Sequence, residues 1–255
     1  MWAVEVQKTT LERRNLEDLL DGLGFLVLET ERGLMFTSDE MSHLETAAEV
    51  FELAKRVRKA FTGSSSVDSE FQLGSVLDFT SDPPRRHTIL EVQSVELRIT
   101  SERATLAVNP PKGLGEAELQ AWNERQKERE YEAKLNFQRA RLEPAFRNER
   151  AEKALKLLSQ EDPTGETLYK IYELAEGSPS NRAAFQSQFG IELVDFRRFQ
   201  DAVHNPAVSG DWARHAYSKK PQSSWPMSRA EAKRFVQDIA AKWLDSVRQE
   251  YIVRD

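Results

Sequence analysis

Arg197, Arg198 and His204 are the residues whose types and spacing could do chemistry in this chain. Arg197 and His204 lie seven apart, so at 3.6 residues per helical turn they share nearly one face, with Arg198 one position round. A guanidinium grips two oxygens of a phosphate with parallel hydrogen bonds, and an imidazole takes or gives a proton near neutral pH. Together they suit a phosphodiester. A second set follows at Trp212, Arg214, His215, Lys219 and Lys220, where cations could hold phosphates and an aromatic face could stack a base. Each feature also has a plainer reading. His204 at a helix C-terminus could simply favour the negative end of the helix dipole, Trp212 could anchor a loop, and Glu173 or Asp201 could orient His204 as a triad carboxylate does.

The elements that must position these groups fall in the C-terminal half. Glu192 to His204 reads as a helix stopped by Asn205-Pro206, and Ser228-x-x-Glu231 opens an amphipathic final helix as a capping box. Phe235 and Trp243 read as core residues and Trp225 as a loop anchor. Upstream, Leu168, Ile171, Tyr172, Leu174 and Ala175 mark one helix, Ala151, Ala154, Leu155, Leu157 and Leu158 another, and Phe185 to Phe189 a short one. Residues 115–142 form a long polar helix that could connect or dimerise, and Pro144 is expected to kink or restart it.

The first hundred residues alternate strand-like and amphipathic helical runs, as in an α+β domain. Strands are expected at Trp2–Val6, Phe25–Leu28, Leu34–Phe36, Phe71–Phe79, Thr88–Ile99 and Ala104–Val108. Helices are expected after Thr9-x-x-Glu12 and after Ser42-x-x-Glu45, both read as capping boxes. His87, beside Arg85-Arg86, reads as exposed loop. The expected domains are 1–109, a sensor or regulatory unit; 110–144, a linker and long helix; and 145–255, a helical bundle.

Composition narrows the function classes. With 255 residues and no cysteine, disulfides, thiolate zinc sites and cysteine nucleophiles are excluded. His43, His87, His204 and His215 are too scattered to read as a metal cluster, so no cofactor and no metal are expected. No run of eighteen apolar residues occurs, and Met1 leads directly into an apolar strand; a cytoplasmic protein with no membrane partner is the expectation. A net charge of −6 argues against a generic nucleic-acid coat, yet residues 113–255 balance 23 basic against 23 acidic groups. Between Arg197 and Arg234 eight basic residues face three acidic ones, a local excess around the suspect histidines.

Two resemblances follow from these residues. The order strand, helix, strand, strand, helix, strand resembles a ferredoxin-like sandwich with extra antiparallel strands at its end. The helical segment 145–250, whose penultimate helix carries Arg-x5/6-His, resembles the HEPN superfamily, many of whose members are ribonucleases of prokaryotic toxin–antitoxin and antiphage defence systems. That resemblance implies RNA binding or metal-independent endoribonuclease activity. His204 would be the acid or base, Arg197 or Arg198 would stabilise phosphate charge, and a homodimer would combine two such sets. The motif departs from the family in that Arg198 is followed by Phe199 and not by an Asn or Asp. The rival reading is a non-enzymatic interaction protein whose acidic N-terminal domain binds a basic protein partner.

Overall fold

A computed structural model describes residues 1–30, 33–63, 71–89, 115–217 and 223–252. Its contacts divide the chain into an N-terminal unit, Met1–Arg58 with Ser66–Arg139, and a C-terminal unit, Lys59–Ser65 with Ala140–Asp255.

The N-terminal unit is α+β. In order it contains β1 (Trp2–Thr9), α1 (Arg13–Asp21), β2 (Leu26–Thr30), β3 (Gly33–Thr37), the single turn α2 (Asp39–Ser42), α3 (Ala47–Gly63, of which the part from Lys59 on belongs to the C-terminal unit), β4 (Phe71–Asp78) and β5 (Arg85–His87). The strands form one antiparallel sheet in the order β2-β3-β1-β4-β5, with Val4 opposite both Phe36 and Val76. Alternation along the strands sends Val4, Phe36 and Val76 to one face, where Phe36 meets Phe25 and Phe71 at 5.6 and 6.1 Å. Their neighbours Ala3, Met35 and Leu77 form a separate buried cluster, joined by Leu28 and Phe79.

Two expected capping boxes are corrected. Glu12 precedes α1 without any side-chain cap, and Thr9 belongs to β1. Ser42 ends α2, whereas Thr46 and Glu49 make the reciprocal pair that starts α3: the Thr46 amide donates to Glu49 Oε2 at 2.9 Å and the Glu49 amide to Thr46 Oγ1 at 3.3 Å. His87 is corrected as well. It lies in β5 opposite Val76, and its Nε2 is buried with no hydrogen-bond partner among the described residues. The expected strand Ala104–Val108, the Gly63–Ser66 linker beyond Gly63 and most of the expected strand Thr88–Ile99 lie outside the described residues.

The long helix α4 (Glu116–Arg147) begins in the N-terminal unit, and the division between units falls inside it. It runs through Pro144, where no restart occurs; a proline withholds one amide, and buried Leu142, Ala145 and Phe146 hold the last turns in place. The break comes at Asn148, whose Oδ1 accepts from the amides of Arg150 and Ala151 at 2.9 and 3.2 Å and caps α5 (Glu149–Leu158). Asn148→Ala is expected to cost about 1 kcal/mol in chemical denaturation; an unchanged midpoint would refute the cap.

The rest of the C-terminal unit is helical: α6 (Gly165–Glu176), α7 (Arg182–Phe189), α8 (Leu193–His204), the short α9 (Pro206–Ser209) and α10 (Arg229–Ile252). Tyr172 is its aromatic hub, lying 5.6, 5.0 and 5.9 Å from Phe185, Phe196 and Phe199. Burial pushes its hydroxyl up to about 12, so it stays protonated. The expected capping box of α10 is present: the Ser228 amide donates to Glu231 Oε2 at 2.8 Å and the Glu231 amide to Ser228 Oγ at 3.3 Å.

Hydrogen bonds donated to it by the Ser228 backbone and side chain, with Arg198 and Arg234 adding to them, hold the Glu231 carboxyl below its ordinary value. A carboxyl lowered in the folded state contributes stability above the ordinary carboxylate range, about pH 4.3, and loses it as pH falls through the lowered value. Glu231→Gln should therefore flatten the acid side of a stability–pH curve; an identical acid limb would refute the assignment.

Candidate functional site

The site is built where α8 ends. Pro206 cannot continue the helix, so the carbonyls of its last turn need other donors. Ser209 Oγ donates to the Ala202 carbonyl at 2.6 Å, and the Arg214 amide donates to the Val203 carbonyl at 2.7 Å. The chain thus folds back over the helix end. Gly165, the first residue of α6, makes this close approach possible, because a Cβ there would stand 2.8 Å from the Val203 carbonyl oxygen and 2.9 Å from that of Trp212.

This return brings three sequence-expected residues together. The His215 ring stacks on His204 at 4.8 Å and 19°, and Arg214 directly precedes His215. It adds one that sequence reasoning passed over. Tyr169 of α6 meets the His204 ring edge-on at 4.2 Å and carries the Arg214 guanidinium 5.1 Å above its own ring. Tyr169 is buried, His204 half-buried with its Nδ1 fully buried, and Arg214 and His215 exposed, so the pair reaches solvent through His215 beside a cation. The Glu166 carboxyl nearby is held below its usual range mainly by Lys170, 2.7 Å away, with Arg214 adding to the effect.

The two arginines first singled out lie elsewhere on α8. Arg198 is engaged: Nε donates to the Trp225 carbonyl at 2.9 Å, Nη1 to Asp195 Oδ1 at 3.1 Å, and Nη2 is 3.6 Å from Glu231. It joins the start of α10 to α8. Arg197 is exposed and two turns, about 10 Å, along the helix from His204. Asp201 accepts from the Ser223 amide at 2.6 Å, and Glu173 lines a cleft between α5 and α6. Trp212 is a loop anchor: its indole donates to the Pro163 carbonyl at 3.0 Å and its ring lies under Arg229 at 5.7 Å. With Asp162, Pro163, Arg229 and Lys233 it borders a cavity of about 200 Å³. Lys219 and Lys220 lie outside the described residues.

Among the described residues no group of three or more histidine, aspartate or glutamate side chains converges on a point that could hold a metal ion, and no helix is long and apolar enough to cross a membrane. Comparison with protein-family models, curated proteins and solved structures finds no match.

Proposed function

We propose that the C-terminal unit binds RNA at Tyr169, His204, Arg214 and His215 and cleaves it without a metal. The observation that carries this reading is the stacked imidazole pair at 4.8 Å with Arg214 at its side. One imidazole takes the proton of a ribose 2′-hydroxyl; the new 2′-O–P bond forms as the P–O5′ bond breaks, and the other imidazolium protonates the departing 5′-oxygen. Arg214 offsets charge on the phosphate oxygens. The products are a 2′,3′-cyclic phosphate and a 5′-hydroxyl end.

The HEPN-like reading of the bundle, and with it a place in a prokaryotic toxin–antitoxin or antiphage defence system, is supported by helix order and by His204 closing α8; Arg214 takes the part first given to Arg197 or Arg198. A ferredoxin-like reading of the N-terminal unit is supported by the antiparallel order β2-β3-β1-β4 with β5 added at its edge. In this proposal that unit senses or regulates, and the protein is cytoplasmic and homodimeric. The test is incubation of the purified protein with mixed RNA in EDTA. Fragments ending in 2′,3′-cyclic phosphate are expected; intact RNA despite measurable RNA binding would leave a binding domain only.

A second reading, an interaction protein, draws on one observation. Leu193 and Val194 at the start of α8 are 53% and 63% exposed, and Trp225, whose carbonyl Arg198 holds, is 75% exposed. These apolar groups suit a protein partner.

A further inference from the structure

The cleft between α5 and α6 has a chemistry of its own. Arg150, Lys153 and Lys156 recur at intervals of three along α5, and Lys170 adds a fourth cation from α6 around a space of about 410 Å³ with Leu157 and Leu174 in its wall. Glu173 is the one acidic residue of the lining. The volume lies in the range of small-molecule sites, about 300–1,000 Å³.

Arg150 is held in place before any ligand arrives. Its Nη1 donates to the Leu174 carbonyl at 3.4 Å, and its guanidinium lies 5.8 Å from the Trp243 ring. Gly177, at φ +79°, leaves the room this requires, since a Cβ there would collide with the guanidinium. The lysines are differently disposed. Lys153 and Lys170 pair at 2.7 Å with Glu149 and Glu166, one turn back on their own helices. All four side chains are more than half exposed, so these pairs are weak and exchangeable for a more highly charged anion.

We infer that this cleft binds a nucleoside phosphate, with its ring against Leu157, Leu174 and the Arg150 plane and its phosphates among Lys153, Lys156 and Lys170. A bare phosphate would use the cations and leave the leucines uncovered. An uncharged apolar ligand would leave four cations facing it. A guanidinium plane also stacks on a base, which an ammonium cannot do. This site is separate from the imidazole pair and stands whether or not RNA is cleaved.

The test is calorimetric titration of the full chain with ATP in EDTA, using His204→Ala protein so that cleavage and cleft binding are read apart. Saturable binding is expected, with adenosine and inorganic triphosphate each about tenfold weaker. Lys153→Ala/Lys170→Ala should weaken ATP about tenfold or more, and its thermal melt should match that of the parent because both side chains are exposed. Glu149→Gln, which releases Lys153, should tighten binding severalfold, an effect that a structural role for Lys153 would not produce. The proposal is overturned by the absence of saturable ATP binding, by affinity unchanged in the double variant, or by triphosphate binding as tightly as ATP. The phosphorylated end of an RNA strand presents the same chemistry. Displacement of ATP by a 5′-phosphorylated oligonucleotide, and not by its 5′-hydroxyl counterpart, assigns the strand end as the source; failure of both to displace it assigns the free nucleotide.

Discussion

His204→Ala is expected to lower the rate of RNA cleavage by about two to four orders of magnitude, the range for losing a positioned general acid or base. His215→Ala should do the same, and the double variant should fall little further, because two groups that move protons in one reaction act as a unit. Arg214→Ala should cost about two orders of magnitude by removing the charge that faces the phosphate. Stability should respond much less. His204 is half-buried and its ring contacts include Tyr169 and His215, each worth about 1 kcal/mol. Arg198→Ala separates this scheme from the sequence motif. Because Arg198 joins Asp195, Glu231 and the Trp225 carbonyl, its loss should lower stability and leave the cleavage rate of the folded protein nearly unchanged. Wild-type rates in both histidine variants would end the proposal.

The largest stability effect should come from Arg182→Ala. Glu176 closes α6, where the negative end of the helix dipole disfavours a carboxylate, and its side chain is 1% exposed. It is tolerated because Arg182 grips it with two bonds, Nε to Oε1 at 2.6 Å and Nη2 to Oε2 at 3.1 Å. The guanidinium also lies 5.1 Å from the Phe196 ring. Removing the arginine leaves a buried carboxylate uncompensated, at a cost of about 3 kcal/mol, the lower end of the range because Arg182 itself reaches solvent. For a protein of this size the melting temperature should drop by about 10 °C. Arg182→Ala/Glu176→Gln should recover much of the loss, since the stranded charge is then gone. A double variant no more stable than Arg182→Ala alone would refute the ion-pair account.

Local signals carried the helices well where a breaker or a cap stood at the end. Pro206 stops α8 after His204, and Ser228 with Glu231 starts α10, because both effects act within a few residues. The same local grammar misled where it repeated. Ser42-x-x-Glu45 and Thr46-x-x-Glu49 satisfy one pattern four residues apart, and the chain uses the second because Ser42 is already the end of a turn capped by Ser38. Strand β5 had no alternation to announce it. Arg85, Arg86 and His87 are extended because β4 offers them backbone partners.

The sequence by itself determined that this chain is α+β followed by helices, that His204 closes a helix, and that Arg214 and His215 stand ten and eleven residues beyond it. Those are matters of periodicity, capping and count, which neighbouring residues settle among themselves. Only the tertiary structure decided which cation serves which group. Arg198, though on the same helix as His204, is taken by Asp195, Glu231 and the Trp225 carbonyl, while the Val203 carbonyl, whose helical donor, the Ala207 amide, turns to Asn205 Oδ1, draws in the Arg214 amide and lays His215 on His204. The physical reason is that unsatisfied backbone and buried charge select partners by distance in space, and helical spacing alone does not contain that distance.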